Sequence, residues 1–170
     1  MTGAITVRSA AVDDAAAIAR IHSQGIRERI ATFETEEPTE ADRRAWLAGR
    51  DRRYPVVVAE RDGQVVGWAS ASPYRPRACY AGVAEFSIYV DTDARGQGVG
   101  TALLEGLIAA SEEAGLWKLL SRVFVENTAS RALCRRCGFR EVGIYEKHAK
   151  LDGVWRDTVI VERLIPTNQD

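Results

Sequence analysis

The sequence predicts a mixed α/β domain, a sheet of parallel and antiparallel strands carrying helices. Three observations predict it. Apolar residues recur at strand period in seven short runs and at helical period in four others. Strand, glycine-rich loop, helix and strand follow one another between Val83 and Val125, which requires two parallel strands joined by a crossover. A hairpin signal, Arg61-Asp62-Gly63 between two β-branched runs, requires an antiparallel pair. With 170 residues, 46% hydrophobic and 28% charged, the chain 1–170 is sized for a single domain with its core over about residues 5–164.

Taken in order, Ile5 and Val7 alternate with polar neighbours as a first strand. Asp13 and Asp14 then lead into a helix whose Ile18, Ile21, Gly25 and Ile26 share one face. The polar segment 31–39 breaks that pattern, and Thr39 with Asp42 forms a capped start for a second helix reaching about Arg53, anchored by Trp46 and Leu47. Residues 55–60 and 64–72 are the arms of the hairpin. Residues 73–82 form a loop with two prolines and two arginines, feeding the strand Val83–Val90. A helix over about 98–114 buries Val99, Leu103 and Leu107 and stops at Gly115. Then come a strand over 118–125, a short helix from Thr128 to Arg136 ending at Gly138, and two strands, 139–147 and 154–163, joined through Leu151-Asp152-Gly153. The order is β α α β β β α β α β β, and residues 167–170 are expected to fray.

A net charge of −1 gives no bulk electrostatic reason for nucleic acid or an anionic membrane to bind, and the arginines are scattered along the chain. No basic region precedes an apolar run near the start and no stretch is long enough to span a bilayer, so the expected location is the cytoplasm. Cys79, Cys134 and Cys137 fit free thiols in a reducing compartment. Cys134 and Cys137 form a CxxC in the last turn of a helix, where the dipole opposes thiolate formation. His22 and His148 show no metal-type spacing, and no metal is expected.

The chemistry centres on the stretch from Ala84 to Leu104. A loop holding Arg95, Gly96, Gln97, Gly98 and Gly100 directly before a helix is an anion cradle: glycine lets backbone N–H groups close on a phosphate, and the helix start offers unpaired donors. The spacing does not fit the dinucleotide fingerprint, and no Lys followed by Ser or Thr completes a P-loop. Arg95-x-x-Gly98-x-Gly100 after a strand instead resembles the acetyl-CoA motif of the GCN5-related N-acetyltransferase (GNAT) superfamily, and residues 127–139, NTASRALCRRCGF, look like its second cofactor element. Residues 32–39 (TFETEEPT), 72–90 (SPYRPRACYAGVAEFSIYV) and 150–157 (KLDGVWRD) are similar to the phosphinothricin, methionine sulfoximine and arsinothricin N-acetyltransferases within it.

The resemblance implies the GNAT fold and direct transfer of acetyl from acetyl-CoA, a co-substrate, to the amino group of a small amino-acid-like acceptor, conferring resistance to a glutamate-like antimetabolite. It implies that N–H groups from Arg95 through Gly96, Gln97, Gly98 and Val99 to Gly100 hold the pyrophosphate. Ile88, Tyr89 and Val90 hydrogen-bond the pantetheine arm as if it were an added strand, with splayed strands making room. Asn127, Ser130 and Arg136 fall where the family contacts the cofactor, and Asn127 is equally placed to cap the short helix. Glu85 matches the family's general base, which an ammonium needs before it can attack, with Phe86 and Ser87 beside it at the acceptor. Arg75 and Arg77, with Tyr74 and Tyr80, offer planar guanidinium groups to a carboxylate, phosphinate or arsinate, or are solvated loop charges. Phe33 walls the same pocket or is a plain core aromatic. Many acetyltransferases carry a tyrosine where Cys134 stands, so the general acid is left open, a small buried thiol being the ordinary reading of Cys134. The rival readings are a GNAT enzyme acting on another small amine or a protein N-terminus, and a non-catalytic acyl-CoA sensor. Family analogy further implies a homodimer whose partner chain helps shape the pocket.

Overall fold

The computed structural model describes residues 3–170, and its strands and helices follow the expected order. Thr6–Ser9 (β1) leads into Ala15–Arg27 (α1) and Glu40–Ala48 (α2). Val56–Arg61 (β2), Gln64–Pro73 (β3) and Val83–Val90 (β4) come next, then Val99–Glu113 (α3), Lys118–Phe124 (β5), Thr128–Arg136 (α4), Arg140–Leu151 (β6) and Val154–Leu164 (β7). The strands form one open, mixed sheet in the order β1-β2-β3-β4-β5-β7-β6. Only β4 and β5 pair in parallel, because α3 carries the chain back across the sheet between them.

Alternation along the strands sorts side chains between two layers. Val57 and Ala59 of β2, Ala69 and Ala71 of β3, and Ala84 and Phe86 of β4 share a core with Leu103, Leu104 and Leu107 of α3. Val58 and Trp68, on the opposite face, meet Ile18 and Ile21 of α1. Gly25 allows α1 to approach β4 closely, since a Cβ there would lie 2.6 Å from the Tyr89 ring.

Two local expectations are corrected. Helix α2 stops at Ala48 instead of near residue 53 because Arg50 turns inward. Its guanidinium lies 4.5 Å from the Trp46 ring centre and donates to the Tyr54 and Ala71 carbonyls at 2.5 and 2.6 Å. Trp46 and Leu47 are accordingly half-buried, packed beside the α1 cluster. The closing residues are tied down: the Asn168 side chain donates to the Glu112 and Leu116 carbonyls, both at 2.8 Å, below the end of α3.

The feature that positions the site is the short β4–β5 ladder. Val83, Ala84 and Glu85 pair with Lys118, Leu119 and Leu120, and there the pairing ends. The Ser121 hydroxyl still donates to the Phe86 carbonyl at 2.9 Å, but from Ser87 to Val90 β4 is paired with β3 alone. The strands splay as expected, leaving one edge of β4 free among the described residues.

Candidate active site

Two connected cavities occupy the gap beside that free edge, and Ala31, Ile88, Tyr89, Asn127 and Ser130 line both. The larger, about 580 Å³, runs from Ile88 and Val90 to the start of α3 and across to α4. Gly96 and Gly98 adopt φ of 71° and 85°, the left-handed region that only glycine enters without strain. A Cβ at either would meet nothing within 4 Å, so the space above the loop is open. No side chain caps α3, which leaves the N–H donors of its first turn available to an anion. The Arg95 guanidinium is occupied elsewhere, donating to the Val90 carbonyl at 3.2 Å and to both Glu28 oxygens at 2.7 and 2.8 Å.

Arg95, Gly96, Gly98, Gly100 and Arg136 all reach the wall of this cavity, whereas Gln97 and Val99 do not. Gln97 is held by Arg61 at 2.5 Å and Val99 is buried in the core. Asn127 is both cap and wall: its Oδ1 accepts the Ser130 N–H at 3.1 Å while its amide donates to the Ile30 carbonyl at 3.3 Å. A free strand edge suits the amides of an extended arm, and an uncapped helix start beside Arg136 suits a phosphate. The residues present therefore fit acetyl-CoA.

The second cavity, about 430 Å³, lies on the α1 face of the sheet, where Glu85, Ser87 and Tyr89 line it. Alternation fixes its walls. Glu85 is paired with Leu120, so Arg122, two residues further, shares a face with Glu85, Ser87 and Phe124. One nitrogen of Arg122, Nη2, donates to both Glu85 oxygens at 3.1 Å. The other, Nη1, stands 3.4 Å from His148 Nε2. Phe33 closes one side, its ring edge-on to Phe124 at 4.7 Å. Phe86 touches the cavity but turns its ring to the core, 5.0 Å from that of Phe139. Tyr89 stacks on Trp68 at 5.1 Å, and burial pushes its phenol up to about 12, so it stays neutral.

Four residues expected at the acceptor lie off this wall. Tyr74, Arg75, Arg77 and Tyr80 belong to the loop just beyond the Ser72–Glu85 register pair. That loop folds on itself, with Tyr74 edge-on to Tyr80 at 5.3 Å and the Arg75 guanidinium 5.0 Å from the Tyr74 ring. Cys134 and Cys137 are buried in the α3-side core and line neither cavity. Desolvation pushes the Cys134 thiol up to about 12, which makes it a poorer proton donor than a free thiol. Among the described residues, no group of three His, Cys, Asp or Glu could hold a metal ion, and no helix is long and apolar enough to cross a membrane.

Sequence reasoning missed Arg122 and His148. Alternation from the Glu85–Leu120 pair would have found Arg122 once the register was known. His148 carries no such signal, because it sits in an irregular stretch of β6 between Tyr145 and Ala149. There Lys147 takes a positive φ of 46° and its N–H turns to Asp157 at 2.7 Å.

The description "Acetyltransferase (GNAT) family" belongs to a family model that matches residues 17–139. A phosphinothricin N-acetyltransferase of Alcaligenes faecalis is 42% identical over 94% of this chain and 82% of its own length. An L-methionine sulfoximine/L-methionine sulfone acetyltransferase of Pseudomonas paraeruginosa is 33% identical over 95% of this chain and 96% of its own. A solved phosphinothricin acetyltransferase of Sinorhizobium meliloti, in complex with acetyl-CoA, superposes with a TM-score of 0.86 at 33% identity, covering 95% of this chain and 88% of that one.

Proposed function

The chain belongs to the acetyltransferase (GNAT) family and is an N-acetyltransferase that uses acetyl-CoA, and from that premise we propose that it acetylates the α-amino group of a small glutamate-like antimetabolite. The candidate acceptors are phosphinothricin, methionine sulfoximine or sulfone, and arsinothricin, and the outcome is resistance. The observation that carries this reading is the placing of a carboxylate and a guanidinium, Glu85 and Arg122, in a cavity that joins the cofactor cavity at Ile88.

Acetyl-CoA, when bound, supplies a thioester whose acetyl group an uncharged amine can capture. Backbone groups from Ile88 to Val90 hold its extended arm, and the loop from Arg95 to Gly100, with Asn127, Ser130 and Arg136, holds its phosphate end. Glu85 takes a proton from the acceptor's ammonium and frees the nitrogen lone pair. Of the three ammonium protons, one stays on the amide, one leaves with the thiol of CoA, and one passes through Glu85 to solvent. Transfer is direct, from one bound substrate to the other. Arg75 and Arg77, with Tyr74 and Tyr80 outside the wall, serve the oxygen-bearing far group of an acceptor that projects from the cavity, anionic in phosphinothricin and arsinothricin. Capping the amine removes the charge by which such a compound imitates an amino acid.

The working form we propose is a homodimer. Ile144, Tyr145, Val154 and Trp155, 50–58% exposed, leave the β6–β7 hairpin with an apolar surface at the open edge of the sheet, and His148 carries that hairpin to the cavity. The test of the acceptor reading is CoA release by purified protein with the four candidate acceptors, against glutamate, spermidine and an N-terminal peptide. Turnover confined to one or more of the four is expected. Turnover of the peptide or spermidine alone would sink the reading.

A further inference from the structure

Glu85 meets its base role under a constraint: in the free protein both of its oxygens already accept from Arg122 Nη2, at 3.1 Å each. A carboxylate so occupied is not free to take a proton from an ammonium. The same pair lies where the β4–β5 ladder stops, Glu85 in its last register pair and Arg122 two residues past it. It therefore flanks the cleft into which an acceptor must pass.

The pair is built to open. A single Arg122 nitrogen spans both oxygens, so the other guanidinium nitrogens are unspent on Glu85, with Nη1 facing His148 Nε2 at 3.4 Å. Arg131 and Glu141 show the contrasting arrangement, a parallel fork of two separate bonds, Nε to Oε1 and Nη2 to Oε2, both at 2.9 Å. The Arg122 and Glu85 side chains are 44% and 29% exposed, and an ion pair that open to water is weak. Opening it costs little if each charge finds a new partner.

We propose that the acceptor itself opens this ion pair: its carboxylate takes Arg122 and its ammonium takes Glu85, so that the base is released only when an α-amino acid is bound. The inference rests on the acetyl-acceptor reading above and adds the residue that enforces it. An α-amino acid presents the two opposite charges on groups attached to one carbon, matching two partners that stand in contact. A simple amine brings a rival cation and no anion, and leaves Glu85 on Arg122. Arg122 is thus a specificity and positioning residue, acting on the proton transfer through Glu85, while Arg75 and Arg77 lie beyond the wall.

The experiment compares L-methionine sulfone with its carboxamide and with 3-(methylsulfonyl)propylamine, and phosphinothricin with its carboxamide, in wild type, Arg122→Met and Arg122→Lys. In wild type, kcat/KM for each acid exceeds that for its counterpart without the α-carboxylate by about 10-fold or more, the scale of a hydrogen bond to a charged group. Arg122→Met collapses that ratio toward one, while acetyl-CoA affinity and melting temperature hold. Arg122→Lys restores part of it, since an ammonium still attracts a carboxylate but lacks the fork. A ratio left at its wild-type value in both variants overturns the role of Arg122 and leaves the acceptor class standing. Failure of wild type to turn over any of the four candidate acceptors overturns the acceptor class and this inference with it.

Discussion

Glu85→Gln keeps the shape of the residue beside Arg122 and removes the proposed proton acceptor. We expect kcat to fall by about 10²- to 10⁴-fold, the range for general-base catalysis, with acetyl-CoA affinity unchanged by calorimetry. Asp14 gives a residue-scale prediction of another kind. Its carboxylate accepts from Arg8 at 2.8 and 2.9 Å and from the Ala11 N–H at 2.7 Å, and the Arg8 guanidinium holds it below the ordinary carboxylate range. A depressed folded-state value means the stabilisation is complete above the unfolded pKa of about 3.9 and is lost as pH falls through the folded one. Asp14→Asn therefore lowers the melting temperature at pH 7 by several degrees, at roughly 2–4 °C per kcal/mol, and the gap to wild type closes toward pH 3. The placing of Glu85, Phe33 and the loop glycines on the cavity walls was legible in sequence because each lies within a contiguous motif. Arg122 was not, since its meaning depends on a partner 37 positions away that only the strand register brings near.

The start of α3 is the element to which the proposed function gives cofactor binding. Gly98 holds φ 85° at the cap with open space around it, so Gly98→Ala meets no clash, only the cost of a left-handed Cβ, about 1–2 kcal/mol. The expected outcome is a melting temperature lower by a few degrees and an acetyl-CoA affinity weakened by about 5- to 30-fold if the loop relaxes, both read by thermal shift across an acetyl-CoA titration. Element boundaries were legible wherever local chemistry sets them: Thr39 and Asp42 cap α2 with paired bonds of 3.1 and 2.8 Å. They were illegible where a distant contact decides, as when Arg50 leaves the helix for carbonyls on Tyr54 and Ala71. The loop from Tyr74 to Tyr80 is the same case. Its aromatic contacts, Tyr74 on Tyr80 and Arg75 on Tyr74, set the loop off the cavity wall, a placement that composition does not report.

Across the whole molecule, the order of strands and helices could be read from periodicity together with turn and cap signals, since alternation marks the strands and helical spacing marks α1 and α3. What periodicity does not report is where two neighbouring strands part. The apolar β6–β7 hairpin yields a test at this scale: Trp155→Glu is expected to shift sedimentation from dimer to monomer, and a wild-type monomer at micromolar concentration would remove the proposed assembly. The parting of β4 from β5 carries a last consequence. Among the described residues, three register pairs form the ladder between β4 and β5, so the backbone seam between the two halves of the sheet is short. A ligand lying along the free edge of β4 acts as the missing rung of that seam. Amide hydrogens from Ser87 to Val90 and in β5 are then expected to exchange quickly in the free enzyme and to slow together when acetyl-CoA is added, so that the substrate acts as a mechanical brace for the fold that consumes it.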